Sequence, residues 1–124
     1  MIKNIYNIEI NKKGSTRLVI LTKNYAFKFP SFYSWESFLR GLLWNMQESL
    51  FWTLQDSRLC PIIFSIKGGF LNVMQRAEEL SREEFFEIDF ESFVKSPNLL
   101  IPVENKLDSF GKINGKIVAI DYGS

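Results

Sequence analysis

Apolar and polar residues alternate along the first third of the chain in short runs that are typical of β-strands. Pro30 closes the third run, because proline cannot donate a hydrogen bond to a strand ladder. The pattern therefore predicts three consecutive strands joined by polar turns. The strands are expected at 5–10, 17–21 and 25–29, and the turns at 11–16 and 22–24.

The period of the apolar residues changes after position 34 from two to about 3.6, which indicates a helix. Ser34 is a suitable N-cap, because its hydroxyl can accept from the first free backbone amides. The pattern predicts one long helix that ends before 58–61. Its apolar residues at helical spacing are Trp35, Phe38, Leu39, Leu42, Leu43, Met46, Leu50 and Leu54.

Two hairpins are predicted further along the chain. The apolar runs 62–66 and 70–74 flank the turn Lys67-Gly68-Gly69. Near the end, Asn114-Gly115 is a type I′ turn signal, and 116–120 reads as a mostly buried strand. With the first three strands, the earlier hairpin completes a five-stranded antiparallel sheet against one helix.

The segment between the hairpins is expected to be helical. Ser81 and Glu84 form a capping box, which predicts one or two short helices within 83–93. The expected fold is α+β and a single domain over 1–124, with sheet and long helix in 1–80 and short helices and a closing hairpin in 81–124. The buried candidates in the short helices are Phe85, Phe86, Ile88, Phe90 and Phe93.

Composition agrees with a folded protein that carries no marked charge. Apolar residues make up 46% of the 124 residues, phenylalanine occurs twelve times, and the net charge is +1. A balanced charge gives no footprint for nucleic acid or for an anionic membrane, so we expect neither as a partner. No apolar run is long enough to span a membrane, and the N-terminus is not a secretion signal, so the sequence favours a soluble cytoplasmic protein.

The types of reactive residue present limit the kinds of catalytic site, metal site and disulfide that the chain can form. The chain has no histidine and one cysteine, Cys60, which excludes Ser-His-Asp and Cys-His triads, histidine-ligated zinc sites and internal disulfides. Cys60 stands among apolar residues, so a buried structural thiol is the expected role. Asp121 follows a buried strand and precedes Gly123 by two residues, which suits a metal-phosphate site or, alternatively, a capped strand end. Lys28, between Phe27 and Phe29, must face the opposite side of its strand, into a cleft or into water.

Two short motifs resemble protein kinases. Asp121-Tyr122-Gly123 resembles the Asp-Phe-Gly element, whose aspartate holds Mg²⁺, and Tyr25-Ala26-Phe27-Lys28 resembles the Val-Ala-Ile-Lys strand, whose lysine binds phosphate. The turn 14–16 occupies the place of the glycine-rich phosphate loop. The end of the chain also resembles small kinase-like proteins encoded by bacteriophages. The resemblance implies the sheet and helix of a kinase small lobe.

The resemblance also implies a nucleotide pocket with ATP and Mg²⁺ as candidate ligands. Glu48, twenty residues after Lys28, occupies the place of the helix glutamate that pairs with the lysine; a solvated surface glutamate is the alternative. Residues 75–80 would form the hinge beside adenine, with Met74 at the back of the pocket. The implied cofactor-binding residues are Lys28, Glu48, Met74, Arg76 and Asp121, and the implied metal ligands are Asp121 and Asp108.

The catalytic loop departs from the kinase pattern, since no His-Arg-Asp motif occurs. One register places Glu104 at the catalytic base and Ser109 at the metal-binding asparagine, and another places Asp108 at that asparagine. The sequence continues for only three residues after Asp121, so an activation segment and a large helical lobe are not expected. The resemblance is therefore to a reduced kinase, and we expect no enzyme activity.

The sequence is compatible with three functions. The first is a non-catalytic phage-type interaction protein that binds and inhibits a host protein or complex in the bacterial cytoplasm, for example an anti-CRISPR inhibitor. The second is a nucleotide-binding pseudokinase in which Lys28, Glu48 and Asp121 hold ATP-Mg²⁺. The third is a minimal phosphotransferase with Glu104 or Asp108 as base. The sequence specifies neither the partner nor the oligomeric state.

Overall fold

A computed structural model of the chain describes residues 9–13, 17–96 and 99–123. The fold is α+β, as expected, with a five-stranded antiparallel sheet, one long helix, a second sheet of three strands and two short helices. The elements are β1 (Glu9–Lys13), β2 (Arg17–Leu21), β3 (Tyr25–Pro30), α1 (Trp35–Trp52), β4 (Ile62–Ile66), β5 (Leu71–Gln75), β6 (Glu78–Glu79), α2 (Arg82–Phe86), α3 (Phe90–Val94), β7 (Phe110–Ile113) and β8 (Lys116–Ala119).

The large sheet has the strand order β1-β2-β3-β5-β4, with every pair antiparallel. The expected strands β2 and β3 and the β4–β5 hairpin are confirmed. The first strand is displaced: residues 11–13, expected in a turn, pair with β2, while 5–8 and the 14–16 turn lie outside the described residues. Backbone pairing with β2 outweighs the turn propensity of these polar residues.

Helix α1 begins after Ser34, whose hydroxyl accepts from the amide of Ser37, so the predicted N-cap is confirmed. The side of the helix that faces the sheet is polar and small, which is contrary to the usual amphipathic arrangement. Its buried residues are Ser37, Gly41, Asn45 and Glu48. Most of the apolar stripe faces outward instead, so that Trp35 is 77% and Leu50 67% exposed.

Hydrogen bonds and a close backbone approach hold α1 on the sheet. Asn45 donates from Nδ2 to the carbonyls of Lys28 and Gly69, both at 2.9 Å, and Asn72 donates to the carbonyl of Asn45 at 2.9 Å. Gly69 lies against the helix backbone at positive φ, and a Cβ there would stand 2.0 Å from the carbonyl oxygen of Leu42. The β4–β5 turn therefore requires glycine at this position.

The second sheet has the order β6-β7-β8 and contains the closing hairpin. Asn114 and Gly115 have φ values of 51° and 80°, as the type I′ turn requires. The short strand β6 was not expected from the sequence; it pairs with β7 and lies in the segment that the kinase resemblance assigns to the hinge.

The short helices α2 and α3 pack on Phe110, which is 2% exposed. The predicted capping box of Ser81 and Glu84 is confirmed. Phe85, Phe90 and Phe93 place their rings 5.3–6.2 Å from the ring of Phe110. The expectation that Phe86 is buried was wrong, since its side chain is 77% exposed. Helix α2 has only five residues, and the side that carries Phe85 is the one that packs on Phe110.

No helix in the described part of the chain has the length and apolar character needed to cross a membrane.

Candidate ligand cavity

Four charged side chains meet between α1, the large sheet and the segment that follows β8. They are Arg17 from β2, Lys28 from β3, Glu48 from α1, and Asp121. Alternation along each strand directs Arg17, Val19, Ala26 and Lys28 to the buried side. Sequence positions as far apart as 17 and 121 are thereby brought into one ion-pair cluster.

The expected ion pair of Lys28 and Glu48 is present. Lys28 Nζ lies 2.8 Å from Glu48 Oε2, and Glu48 is 0% exposed. Lys28 therefore faces the cleft rather than water, and Glu48 is not a solvated surface glutamate. Lys28 Nζ also donates to the carbonyl of Ile120 at 2.5 Å, which ties β3 to the end of β8.

Arg17 is the main functional candidate that the sequence interpretation missed. Its Nη2 lies 2.5 Å from Asp121 Oδ1, and its Nη1 donates to Glu48 at 3.2 Å and to Asn45 at 3.1 Å. The side chain is buried. The available signal was its position two residues before Val19 in a short apolar strand, which places a charge on the same side as the core.

Burial and charge pairing shift the pKa values of Lys28 and Arg17 in opposite directions. Burial lowers the pKa of Lys28, and Glu48 only partly compensates, since Arg17 also opposes a second positive charge nearby. For Arg17 burial again opposes the charge, but Glu48 and Asp121 outweigh it and raise the pKa above its usual value. The guanidinium is thus the more firmly charged of the two groups.

Each residue of the Asp121-Tyr122-Gly123 motif has a different contact. Asp121 binds Arg17, while Tyr122 is buried in the core and donates from its hydroxyl to the carbonyl of Cys60 at 2.9 Å. Gly123 adopts φ +91°, and a Cβ on it would lie 3.0 Å from the backbone of α1 at Gln47 and Glu48. The glycine therefore lets the end of the chain pass close to the helix that supplies Glu48.

Cys60 has the expected structural role. It is 0% exposed, and burial raises the pKa of its thiol to about 12. Its backbone amide donates to the carbonyl of Ala119 at 2.8 Å. The thiol therefore remains protonated at neutral pH and is a poor nucleophile.

A cavity of about 260 Å³ opens beside the ion-pair cluster. Five of the six residues expected to hold a cofactor or metal line it: Lys28, Met74, Arg76, Asp108 and Asp121. The sixth, Glu48, contacts the cavity only through its bonds to Lys28 and Arg17. Apolar side chains form much of the wall, among them Val19, Leu21, Ala26, Met74, Leu107 and Ile120.

The segment expected as a hinge forms one side of the cavity, from Gln75 to Leu80. Part of its backbone is already paired, because Arg76 donates its amide to the carbonyl of Asn24 at 2.9 Å and β6 pairs with β7. The side chain of Arg76 donates to the carbonyl of Thr22 at 2.8 Å. Arg76 thus braces the β2–β3 turn as well as lining the cavity.

The residues that the kinase resemblance assigns to a catalytic segment lie in different places. Asp108 lines the cavity, whereas Ser109 is buried and Glu104 lies on the surface, 3.2 Å from Lys106. Glu104 is therefore not positioned as a base for chemistry in this cavity. Among the residues described, the register that assigns Asp108 is the one compatible with a role for the segment here.

Comparison of the chain with protein-family models, with curated proteins and with solved structures found no match in any of the three.

Proposed function

We propose that this protein is a non-catalytic, nucleotide-binding protein whose architecture resembles a reduced kinase small lobe. The observation that supports it is the cavity itself, where an apolar wall adjoins the buried Lys28–Glu48 ion pair. Pockets for small ligands typically combine apolar walls with a few fixed polar groups. Val19, Ala26 and Met74, on the buried side of three adjacent strands, can form one wall against a flat base, and the segment from Gln75 to Leu80 lines another part of the cavity.

The absence of phosphoryl transfer is part of this proposal. A phosphotransferase needs a base within hydrogen-bond reach of the attacking hydroxyl. Of the two candidates for that role, Glu104 lies at the surface with Lys106, whereas Asp108 lines the cavity. Asp121, the expected metal ligand, is engaged by Arg17. We expect no turnover of radiolabelled ATP, and turnover that disappears in Asp121→Ala would contradict the proposal.

A thermal melt with and without millimolar ATP or GTP tests binding. Ligand at one hundred times its dissociation constant raises stability by about 2.7 kcal/mol, which is a visible shift in melting temperature. Lys28→Met should lose the shift, because Lys28 lies at the junction of cavity and cluster. Lys23→Met, which changes an exposed lysine, should keep it. A wild-type melt that no nucleotide shifts would contradict nucleotide binding.

A second function, that of a protein-interaction inhibitor, is favoured by the apolar outer side of α1. Trp35, Leu39, Leu43, Met46 and Leu50 are exposed there. Phe38 stacks on Phe32 with ring centroids 5.6 Å apart and lies 6.4 Å from Phe70, which extends the surface toward the β4–β5 turn. Exposed apolar surfaces of this kind mark protein interaction sites.

On this second proposal, the partner is a protein of the bacterial host cytoplasm, such as a component of a defence system inhibited by an anti-CRISPR protein. The test is a pull-down from bacterial lysate with the wild type and with the double variant Trp35→Ser, Leu39→Ser. A specific host protein that wild type and Lys28→Met retain, and that the double variant loses, would support it. A protein retained equally by the wild type and both variants would argue against the outer side of α1 as the binding surface.

A further inference from the structure

The contacts of Asp121 bear on which ligand the cavity can take. Its carboxylate accepts from Arg17 Nη2 at 2.5 Å, and the same guanidinium contacts Glu48 and Asn45 through Nη1. Because three partners orient it, Arg17 is a fixed part of the cluster. A bound cation at Asp121 would have to share the carboxylate with this guanidinium.

The charges of the cluster balance without a metal ion. Among the residues that the structure describes, two basic groups, Arg17 and Lys28, pair with two carboxylates, Glu48 and Asp121. A divalent cation would add two positive charges beside a buried guanidinium and a buried ammonium, where repulsion is weakly screened. If Asp121 left Arg17 to bind the metal, the guanidinium would remain buried with one partner fewer, which is strongly unfavourable.

The two carboxylates that the kinase resemblance assigns to magnesium, Asp108 and Asp121, both line the cavity, but Asp121 is already bound by Arg17. Mg²⁺ requires near-octahedral oxygen coordination and is usually bound through one or two carboxylates together with substrate phosphates. The magnesium that the kinase resemblance implies therefore disagrees with the contacts of Asp121.

The size and lining of the cavity favour a compact, uncharged ligand group. Its volume of about 260 Å³ is close to the lower end of the range of roughly 300–1,000 Å³ that is typical of small-ligand sites. Of the charged side chains described along its wall, four are acidic and three are basic. The acidic ones are Glu78, Glu79, Asp108 and Asp121. A triphosphate without a metal ion would gain little from this wall, whereas a base and its sugar would fit.

We propose that Arg17 is the built-in counter-cation of Asp121, and that the cavity binds the nucleoside portion of its ligand without a divalent cation. This inference rests on the proposed nucleotide-binding function, since it specifies which part of the nucleotide is recognised. The apolar wall holds the base, and the phosphates contribute little to the affinity. Asp121 then acts as a positioning residue for Arg17 rather than as a metal ligand.

Isothermal titration calorimetry on the full chain tests the inference with three kinds of probe. They are a nucleoside (adenosine or guanosine), the matching triphosphate in excess EDTA, and the same triphosphate with Mg²⁺. We expect the nucleoside to bind, and the two triphosphate affinities to agree within about threefold, which is less than 1 kcal/mol. Asp121→Asn retains an oxygen that can accept from Arg17 but removes the charge, so in this variant too the triphosphate affinities with Mg²⁺ and in EDTA should agree with each other within the same factor.

The outcomes separate this inference from the proposed function. Triphosphate binding that weakens by about tenfold or more in EDTA, or that occurs without any nucleoside binding, would overturn the inference and leave nucleotide binding intact. Loss of triphosphate-Mg²⁺ binding in Asp121→Asn, with an unchanged melting temperature of the unliganded protein, would overturn it as well. If no probe binds the wild type, both the proposed function and the inference fail.

Discussion

The two sides of helix α1 have the reverse of the usual polarity, since the polar side is buried and the apolar side is exposed. The inner side, with Asn45 and Glu48, is polar and completely buried, whereas the outer side, with Trp35 and Leu50, is apolar and mostly exposed. In most surface helices the apolar stripe holds the helix to the core. Here directed hydrogen bonds and ion pairs hold the helix, and the apolar stripe is left for other contacts.

Because α1 is held by polar contacts, its inner side is sensitive to the position of each group and to the loss of any one of them. Polar contacts depend on position, so the inner side of α1 fixes the distance and angle at which Glu48 meets Lys28 and Arg17. Buried polar groups destabilise the fold if one member of the network is removed. We therefore expect substitutions on the inner side to be severe and those on the outer side to be mild in their effect on stability.

Glu48→Ala should give the largest effect. The substitution leaves Lys28 and Arg17 buried without their shared carboxylate, and breaking a buried ion pair in this way costs about 3–5 kcal/mol. The free energy of unfolding is measured by urea denaturation. Glu36→Ala is the matched control on the same helix, because the Glu36–Arg40 pair is exposed, and it should cost less than about 1 kcal/mol. Equal losses for the two variants would contradict the account.

Asn45→Ala should give the second largest effect. The amide of Asn45 satisfies the carbonyls of Lys28 and Gly69 and accepts from Arg17. Leaving a buried polar group without a partner costs about 1–3 kcal/mol. The same denaturation experiment measures it, with Gln47→Ala as a partly exposed neighbour for control. A loss no greater than that of the control would show that these hydrogen bonds do not hold the helix.

Leu39→Gln should give the smallest effect on stability, and Leu50→Gln the same. Both side chains lie on the exposed outer side of α1, where substitutions usually change the free energy of unfolding by within about 0.5 kcal/mol. We expect less self-association or partner binding, because apolar surface is removed. Light scattering and the pull-down described above measure this. A destabilisation comparable to that of Asn45→Ala would mean that the outer side packs against part of this chain.

The sequence predicted the elements better than their orientation. Alternation and turn signals located β2, β3 and both hairpins, because these signals are local: Asn114-Gly115 specifies its turn without help from the rest of the chain. The helix was also found, but its periodicity could not say which side meets the sheet. Asn45 and Glu48 reveal that side only once Lys28, Gly69 and Arg17 are in place.

Only part of the candidate site was predicted, because some of its contacts join residues that are distant in the sequence. The spacing of Lys28 and Glu48, together with the kinase resemblance, predicted their ion pair. Arg17 was missed, because it stands 104 residues from Asp121 in the sequence and only the packed fold brings the two together. We propose that this contact, rather than metal binding, is the role of Asp121.

The most direct test of the account is a nuclear magnetic resonance titration of the labelled protein with ATP. The account predicts chemical-shift changes at the backbone amides of 74–80 and 119–121, which line or adjoin the cavity. It predicts no changes for Leu39, Leu43 and Leu50 on the outer side of α1. Changes confined to that outer side, or no changes at saturating nucleotide, would contradict the claim that the polar side of α1 supports a ligand cavity.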